Sequence, residues 1–172
     1  MVRALAFAAE KHRAQRTSAV DAAPYINRPI ELARVLTEEG GVSDGAILCA
    51  ALLHDTLQGS ATTVAELQAE FGPIIAGIVA EVSDDMSLPS VLLRRQVQLE
   101  RAAGISRRAK VLKLADTIEN LRAVLAEPSE RWPLKKRQAY FDWSKALIDQ
   151  LRGVHARLEA IFDETFLQRP EA

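Results

Sequence analysis

Apolar residues recur along this chain every three or four positions, and no stretch alternates in the way a half-buried strand requires. Leu5, Ala8, Ala9 and His12 form one stripe and predict a first helix over residues 4–16. A small-residue loop over 17–24 follows, and Pro24 with Pro29 brackets Tyr25-Ile26-Asn27-Arg28. Pro29 suits a first helical position, so a second helix is expected from there to Gly40-Gly41. Ser43 or Asp44 can cap a third, running to about Leu57. Thr62/Thr63 with Glu66 has the form of a capping box for a fourth, interrupted at Gly72-Pro73 and resumed to Val82. Beyond Asp84-Asp85 come an arginine-rich helix over 88–102 and a helix from Arg107 to about Leu125. The latter should bury Val111, Leu114, Ala115, Ile118 and Leu125. A single long amphipathic helix is predicted over 134–166, with Tyr140, Trp143, Leu147, Leu151, Val154, Leu158 and Ile161/Phe162 on its apolar face. The expected fold is all-α, a bundle of seven or eight helices in a single domain over 1–172.

Composition supports this. Ala and Leu dominate and aromatics make up only 5%, which favours helix over sheet. With 48% apolar residues over 172 positions the chain can bury a core. A net charge of −1 lacks the electrostatic pull that DNA binding uses. The longest apolar run, residues 46–53, is far short of the roughly 20 that cross a bilayer. Glu10-Lys11-His12 follows the short apolar start, so no signal peptide is readable. The lone Cys49 favours a reducing compartment. A cytoplasmic protein with no DNA and no membrane partner is expected.

The strongest chemical anomaly is His54-Asp55 at the end of the 46–53 run, a segment apolar on every side. A carboxylate there opposes the helix dipole, and if buried it must be paired or bound to a metal. The bland reading is a local His-Asp cap. A second signal is Asp116 and Asn120, four apart and therefore on one helical face, which by themselves could be a solvated polar surface. Together, these nitrogen and oxygen donors are the kind that hydrolytic Mn²⁺, Zn²⁺ or Mg²⁺ sites use.

With these residues in order, the chain resembles the HD-domain phosphohydrolases. Within them it is similar to the hydrolase domain of Rel/SpoT proteins and the small alarmone hydrolases called metazoan SpoT homologs. The resemblance runs through Lys11-His12-Arg13, Pro24-Tyr25-Ile26-Asn27-Arg28-Pro29, Ala50-Ala51-Leu52-Leu53-His54-Asp55-Thr56 and Phe71-Gly72. It continues through Ser83-Asp84-Asp85, residues 113–122 and Ala139-Tyr140-Phe141-Asp142-Trp143. It implies an HD-domain helical bundle and removal of the 3′-pyrophosphate of guanosine tetraphosphate (ppGpp) with Mn²⁺. The metazoan type is also described as acting on NADPH.

The resemblance implies metal ligands at His54, Asp55 and Asp116, with Arg28 where the family has a fourth ligand, a histidine. Arginine offers a metal no lone pair. Gln58 and Gly59 stand at the family's water-activating Glu-Asp pair. At the substrate end, Asn120, Lys136 and Tyr140 match family residues. Thr17 and Ser18 fall where a purine-contacting basic pair is expected, and Ser90 lies near a lost phosphate-contacting lysine. Losing a general acid or base costs about 10²–10⁴-fold in rate, so hydrolysis should be weakened, altered or lost. Arg28 is expected to take the place of the metal by pairing with Asp55 and Asp116. His12 should point inward, as a core histidine or a substitute ligand. Arg94, Arg95, Arg101, Arg107, Arg108 and Lys110 read as a solvated basic face or a phosphate surface, and Cys49 as a buried hydrophobe. Two functions stay open: a hydrolase of altered scope acting on a guanosine polyphosphate or other nucleotide, and a non-catalytic binder of a nucleotide or protein.

Overall fold

A computed structural model describes residues 1–17, 23–128 and 130–171. The expected Ser18 position lies outside the described residues. Among them every regular element is helical, and the only extended pairing is the isolated bridge between Arg16 and Pro24. The helices are α1 (Val2–Lys11), α2 (Asn27–Arg34), α3 (Gly45–Leu53), α4 (Thr56–Gly59) and α5 (Val64–Val82). They continue with α6 (Val91–Ala102), α7 (Arg107–Ala126), α8 (Leu134–Asp149) and α9 (Ala156–Phe166). None is long and apolar enough to cross a membrane. The chain divides into two compact units, Met1–Met86 and Ser87–Ala172.

The first unit is built on α3. With no polar face, this helix can only be stable when surrounded, and it packs against α1, α2 and α5. Ile47, Leu48, Ala50, Ala51, Leu52 and Leu53 are all buried, each large aliphatic contributing about 1.5–3 kcal/mol. The Asp44 side chain accepts from the Ala46 amide at 2.9 Å and so is the N-cap; Thr63 does the same for Glu66 at 3.1 Å at the start of α5. Gly72, at φ +84°, supplies a left-handed kink before Pro73, so α5 is bent where an interruption was expected. At the end of α2 the helix widens into a π-helical turn over Val35–Glu39.

Two expected helix ends move. The first helix ends at Lys11 instead of 16, because Gln15 N bonds to His12 O at 2.9 Å and Thr17 N to Ala23 O at 2.9 Å, turning the chain back. The third ends at Leu53 instead of Leu57. There Thr56 Oγ1 donates to Leu53 O at 2.7 Å, and the chain bends at His54-Asp55 before the single turn of α4. Cys49 is half-buried rather than enclosed.

In the second unit α7 is central, packing on α8 and α9, while α6 packs on α8. Val111, Leu112, Leu114, Ala115, Ile118, Leu121 and Val124 are buried; Leu125 is only half-buried, displaced from the core face by Val124. The long helix expected over 134–166 is two helices. Gly153, at φ +86°, breaks it, and His155 caps α9. Glu159 Oε1 turns back to accept the amides of Gly153, Val154 and His155 at 2.9–3.0 Å. Leu151 and Leu158 are buried on either side of the turn, so the apolar spacing carries through it. Arg152 fixes the corner with a two-point pair to Asp163 at 2.6 and 3.1 Å.

Three amides on one carboxylate oxygen make Glu159 the keystone of that corner. Glu159→Ala is expected to lower the unfolding free energy by about 1–2 kcal/mol, the range for a lost helix cap. Urea denaturation measures it, and a loss below about 0.3 kcal/mol would show that the corner holds without this cap.

Candidate active site

His54 closes α3 and is 9% exposed. Its Nδ1 lies 2.8 Å from Ala51 O, an atom that can only accept, so Nδ1 carries the proton and the Nε2 lone pair is turned outward. Nε2 then meets Asp55 Oδ2 at 3.2 Å. Two ligands about 2.0–2.2 Å from one cation, at right angles to each other, stand about 3 Å apart, so this pair has the spacing of two adjacent metal donors. The backbone bond at Nδ1 is the usual orienting partner of a metal-bound histidine. The same Nε2 can instead carry a proton and pair with Asp55 as an ion. Burial pushes the Asp55 carboxyl upward, but the charge of His54, the Tyr25 hydroxyl and the charges of Arg28 and His12 outweigh it. The net result holds the acid below the usual carboxylate range. Tyr25 donates to Oδ2 at 2.6 Å.

Around this pair, the residues of α1 and α4 interlock. His12 is 2% exposed, with Nδ1 2.7 Å from Gln15 Oε1 and its ring 4.9 Å from that of Tyr25. Its Nε2 is buried with no hydrogen-bond partner. Gln15 donates through Nε2 to Gly59 O. A side chain at Gly59 would meet the Gln15 amide at 3.2–3.3 Å and His12 Cε1 at 3.4 Å, so the glutamine lies in the space a residue 59 carboxylate would enter. Gln58 is half-buried, as is Arg28, whose charge reaches Asp55. Thr17 turns a buried hydroxyl with no partner into the protein, a poor replacement for a basic contact.

The second unit places Asp116 on α7 with 16% of its side chain exposed. Asn120 Nδ2 donates to Asp116 Oδ1 and to its backbone oxygen, both at 2.8 Å, and Lys113 Nζ stands 3.5 Å from Oδ2. Lys136 and Tyr140 lie on α8, the lysine exposed and the tyrosine half-buried. The Ser90 hydroxyl caps α6, accepting from Leu93 N at 3.2 Å. Much of the basic stretch is capping too: Arg94 donates to Leu88 O, Arg107 to Val154 O and Lys110 to Ala103 O, at 2.8–2.9 Å.

The HD-domain family profile matches residues 4–140. Guanosine-3′,5′-bis(diphosphate) 3′-pyrophosphohydrolase MESH1 of Xenopus tropicalis is 42% identical over 163 residues, 95% of this chain and 90% of that protein. MESH1 of Homo sapiens is 41% identical over 169 residues, 98% and 94% of the two chains. A solved structure described as a metazoan ortholog of SpoT that hydrolyzes ppGpp superposes with a TM-score of 0.92 at 40% identity, covering 98% of this chain and 94% of that one. The chain belongs to the HD-domain family.

In this HD domain the histidine-aspartate doublet is the orienting pair just described. Among the described residues no cluster of three or more His, Cys, Asp and Glu side chains is formed, and the doublet offers two adjacent donors. His12 points inward, as expected, buried at 2% exposure. The residues that sequence reasoning passed over are Tyr25 and Gln15. Both lie in matched segments or beside them, but their contacts span 30 and 44 positions, which periodicity cannot reveal.

Tyr25→Phe leaves a largely enclosed carboxylate short of one donor and is expected to cost about 1.5 kcal/mol at neutral pH. Asp55 is depressed in the folded state, so its contribution is present above the unfolded pKa and lost as pH falls through the folded one. The penalty should accordingly fade in strong acid. Denaturation of both proteins across pH measures this, and a penalty that grows as pH falls would contradict it.

Proposed function

We propose that this chain is a metal-dependent pyrophosphohydrolase acting on guanosine 3′,5′-bis(diphosphate) in the cytoplasm, slowed by its own substitutions, and that residues 1–172 act as one HD domain. The observation that carries the reading is the His54–Asp55 pair, oriented through Ala51 O and Tyr25 with donor atoms 3.2 Å apart. The unbroken family match from residue 4 to 140, through both compact units, supports the single functional domain.

In this reading His54 and Asp55 would hold the metal, Mn²⁺ by resemblance, with Asp116 the third ligand that the resemblance implies. When bound, it supplies Lewis acidity and an acidified water. Arg28 cannot act as the fourth ligand; its charge supports the ionised Asp55 instead. Asn120 keeps Asp116 in one orientation and, with Lys136 and Tyr140, faces the substrate; Thr17 and Ser18 stand at the purine end with no charge to offer. Gln58 can hydrogen-bond the attacking water but cannot take its proton, and Gly59 brings no side chain at all. A binder without hydrolysis is the second reading, favoured by the Gln15 amide filling the space beside Gly59.

The test is pyrophosphate release from guanosine tetraphosphate with and without Mn²⁺. Slow, metal-dependent release is expected from the natural chain. Arg28→His, Gln58→Glu and Gly59→Asp together should raise it by about 10²-fold or more. No release from either protein, with no calorimetric Mn²⁺ binding by the natural chain, would decide for the second reading.

A further inference from the structure

Both tryptophans of the chain, Trp132 and Trp143, lie in one aromatic row with Tyr140 between them. Ring centroids are 5.6 Å apart from Trp132 to Tyr140 and 5.5 Å from Tyr140 to Trp143. Each end of the row carries a cation. Lys136 Nζ stands 4.1 Å from the Trp132 centroid. The Arg95 guanidinium lies 4.8 Å from the centre of Tyr140 and 5.2 Å from that of Trp143.

The row is anchored on both sides. Trp143 Nε1 donates to Arg95 O at 3.2 Å, tying α6 to α8. Arg137 donates to Trp132 O at 2.7 Å and to Glu127 O, fixing the turn before α8. Tyr140 is four positions beyond Lys136 and Trp143 seven, so all three share one face of α8.

What separates these two cations from the other basic residues is their partners. Arg34, Arg152 and Arg169 each meet a carboxylate within 2.9 Å. Arg94, Arg107 and Lys110 are spent on backbone carbonyls. Among the described residues Arg95 and Lys136 have only aromatic rings. A ring face satisfies the charge of a guanidinium but leaves its edge donors open, and the planar fork of those donors matches two phosphate oxygens. Holding the cation on the rings also removes side-chain freedom before a ligand arrives.

We propose that Arg95, held on the Tyr140 and Trp143 rings, is a further phosphate-binding residue that extends the substrate face of Lys136 and Tyr140 and takes the polyphosphate of a nucleotide. The choice of a nucleotide rests on the function proposed above; the anion site itself does not.

Because both tryptophans are in the row, intrinsic fluorescence of the full chain reports on it directly. Pyrophosphate, guanosine tetraphosphate and unphosphorylated guanosine are each titrated. The first two are expected to change the emission saturably and guanosine to leave it unchanged. Arg95→Met should weaken both anions at least about tenfold, with Arg95→Lys between it and the natural chain, since the charge remains and the fork is lost. Lys136→Met, at an exposed position, should weaken them less and cannot do so by unfolding the core. Circular dichroism checks the fold of each variant. If Arg95→Met does not fold, the Lys variants at 95 and Met at 136 decide. Natural affinity in both of those, or an equal response to guanosine, overturns the proposal. Anion binding lost on Arg95 substitution in a chain that hydrolyses nothing would uphold this site while rejecting the hydrolase reading. Hydrolysis with KM unchanged in Arg95→Met would do the reverse.

Discussion

A carboxylate at the end of a helix with no polar face has to be stabilised by whatever packs around that helix, and much of the first unit answers to that constraint at Asp55. The apolar circumference of α3 demands enclosure, and enclosure opposes the ionised acid. The Tyr25 hydroxyl, the His54 ring and the charges of Arg28 and His12 offset it, and they come from the turn before α2, the end of α3, α2 itself and the end of α1. The helices that carry these groups end locally, α1 at the Gln15–His12 turn and α3 at the Thr56–Leu53 bond, and those ends bring His12 and His54 to the acid.

The same constraint explains why a site built for catalysis can persist after its reacting groups change. Each neighbour of Asp55 contributes to stability whether or not a metal is present. Gln58 and Gly59 take part through their backbone, both amides meeting Asp55 O, while the Gln15 amide fills the space beside residue 59 and bonds its carbonyl. Groups that orient are held by the fold; groups that only move protons are free to drift.

How much of this is legible in the sequence follows the range of the interactions. Asp44 and Thr63 act within three residues of themselves, and their caps are readable, whereas the Ser90 cap falls inside the helix expected from residue 88. The His54-Asp55 anomaly is readable because it contradicts the apolar run before it. The break between α8 and α9 is hidden, since Leu151 and Leu158 keep helical spacing across a corner that Gly153 and Glu159 create. The basic stretch shows the limit most clearly. Arg94 and Arg95 are adjacent in sequence, yet one caps a carbonyl and the other lies on two rings supplied by α8. Nothing in the local pattern separates them.

Anion recognition and proton transfer therefore rest on different residues in this chain and can change independently. In the function proposed above, a proton acceptor lost at Gln58-Gly59 would act on the transition state alone, whereas cations stacked on aromatic rings would bind phosphate oxygens in ground state and transition state alike. Substitution at the first group lowers turnover and leaves affinity; substitution at the second lowers affinity. By the resemblance, the departures fall where the family would have a metal ligand, a water-activating pair and two substrate contacts: Arg28, Gln58-Gly59, Thr17-Ser18 and Ser90. Arg95 and Lys136 meanwhile lie against the aromatic rings of Tyr140, Trp143 and Trp132. A chain altered in this order loses speed before it loses its hold on a phosphorylated ligand. The hydrolase and binder readings are then two points on one course, separated by how much proton transfer Gln58 and bound water still sustain.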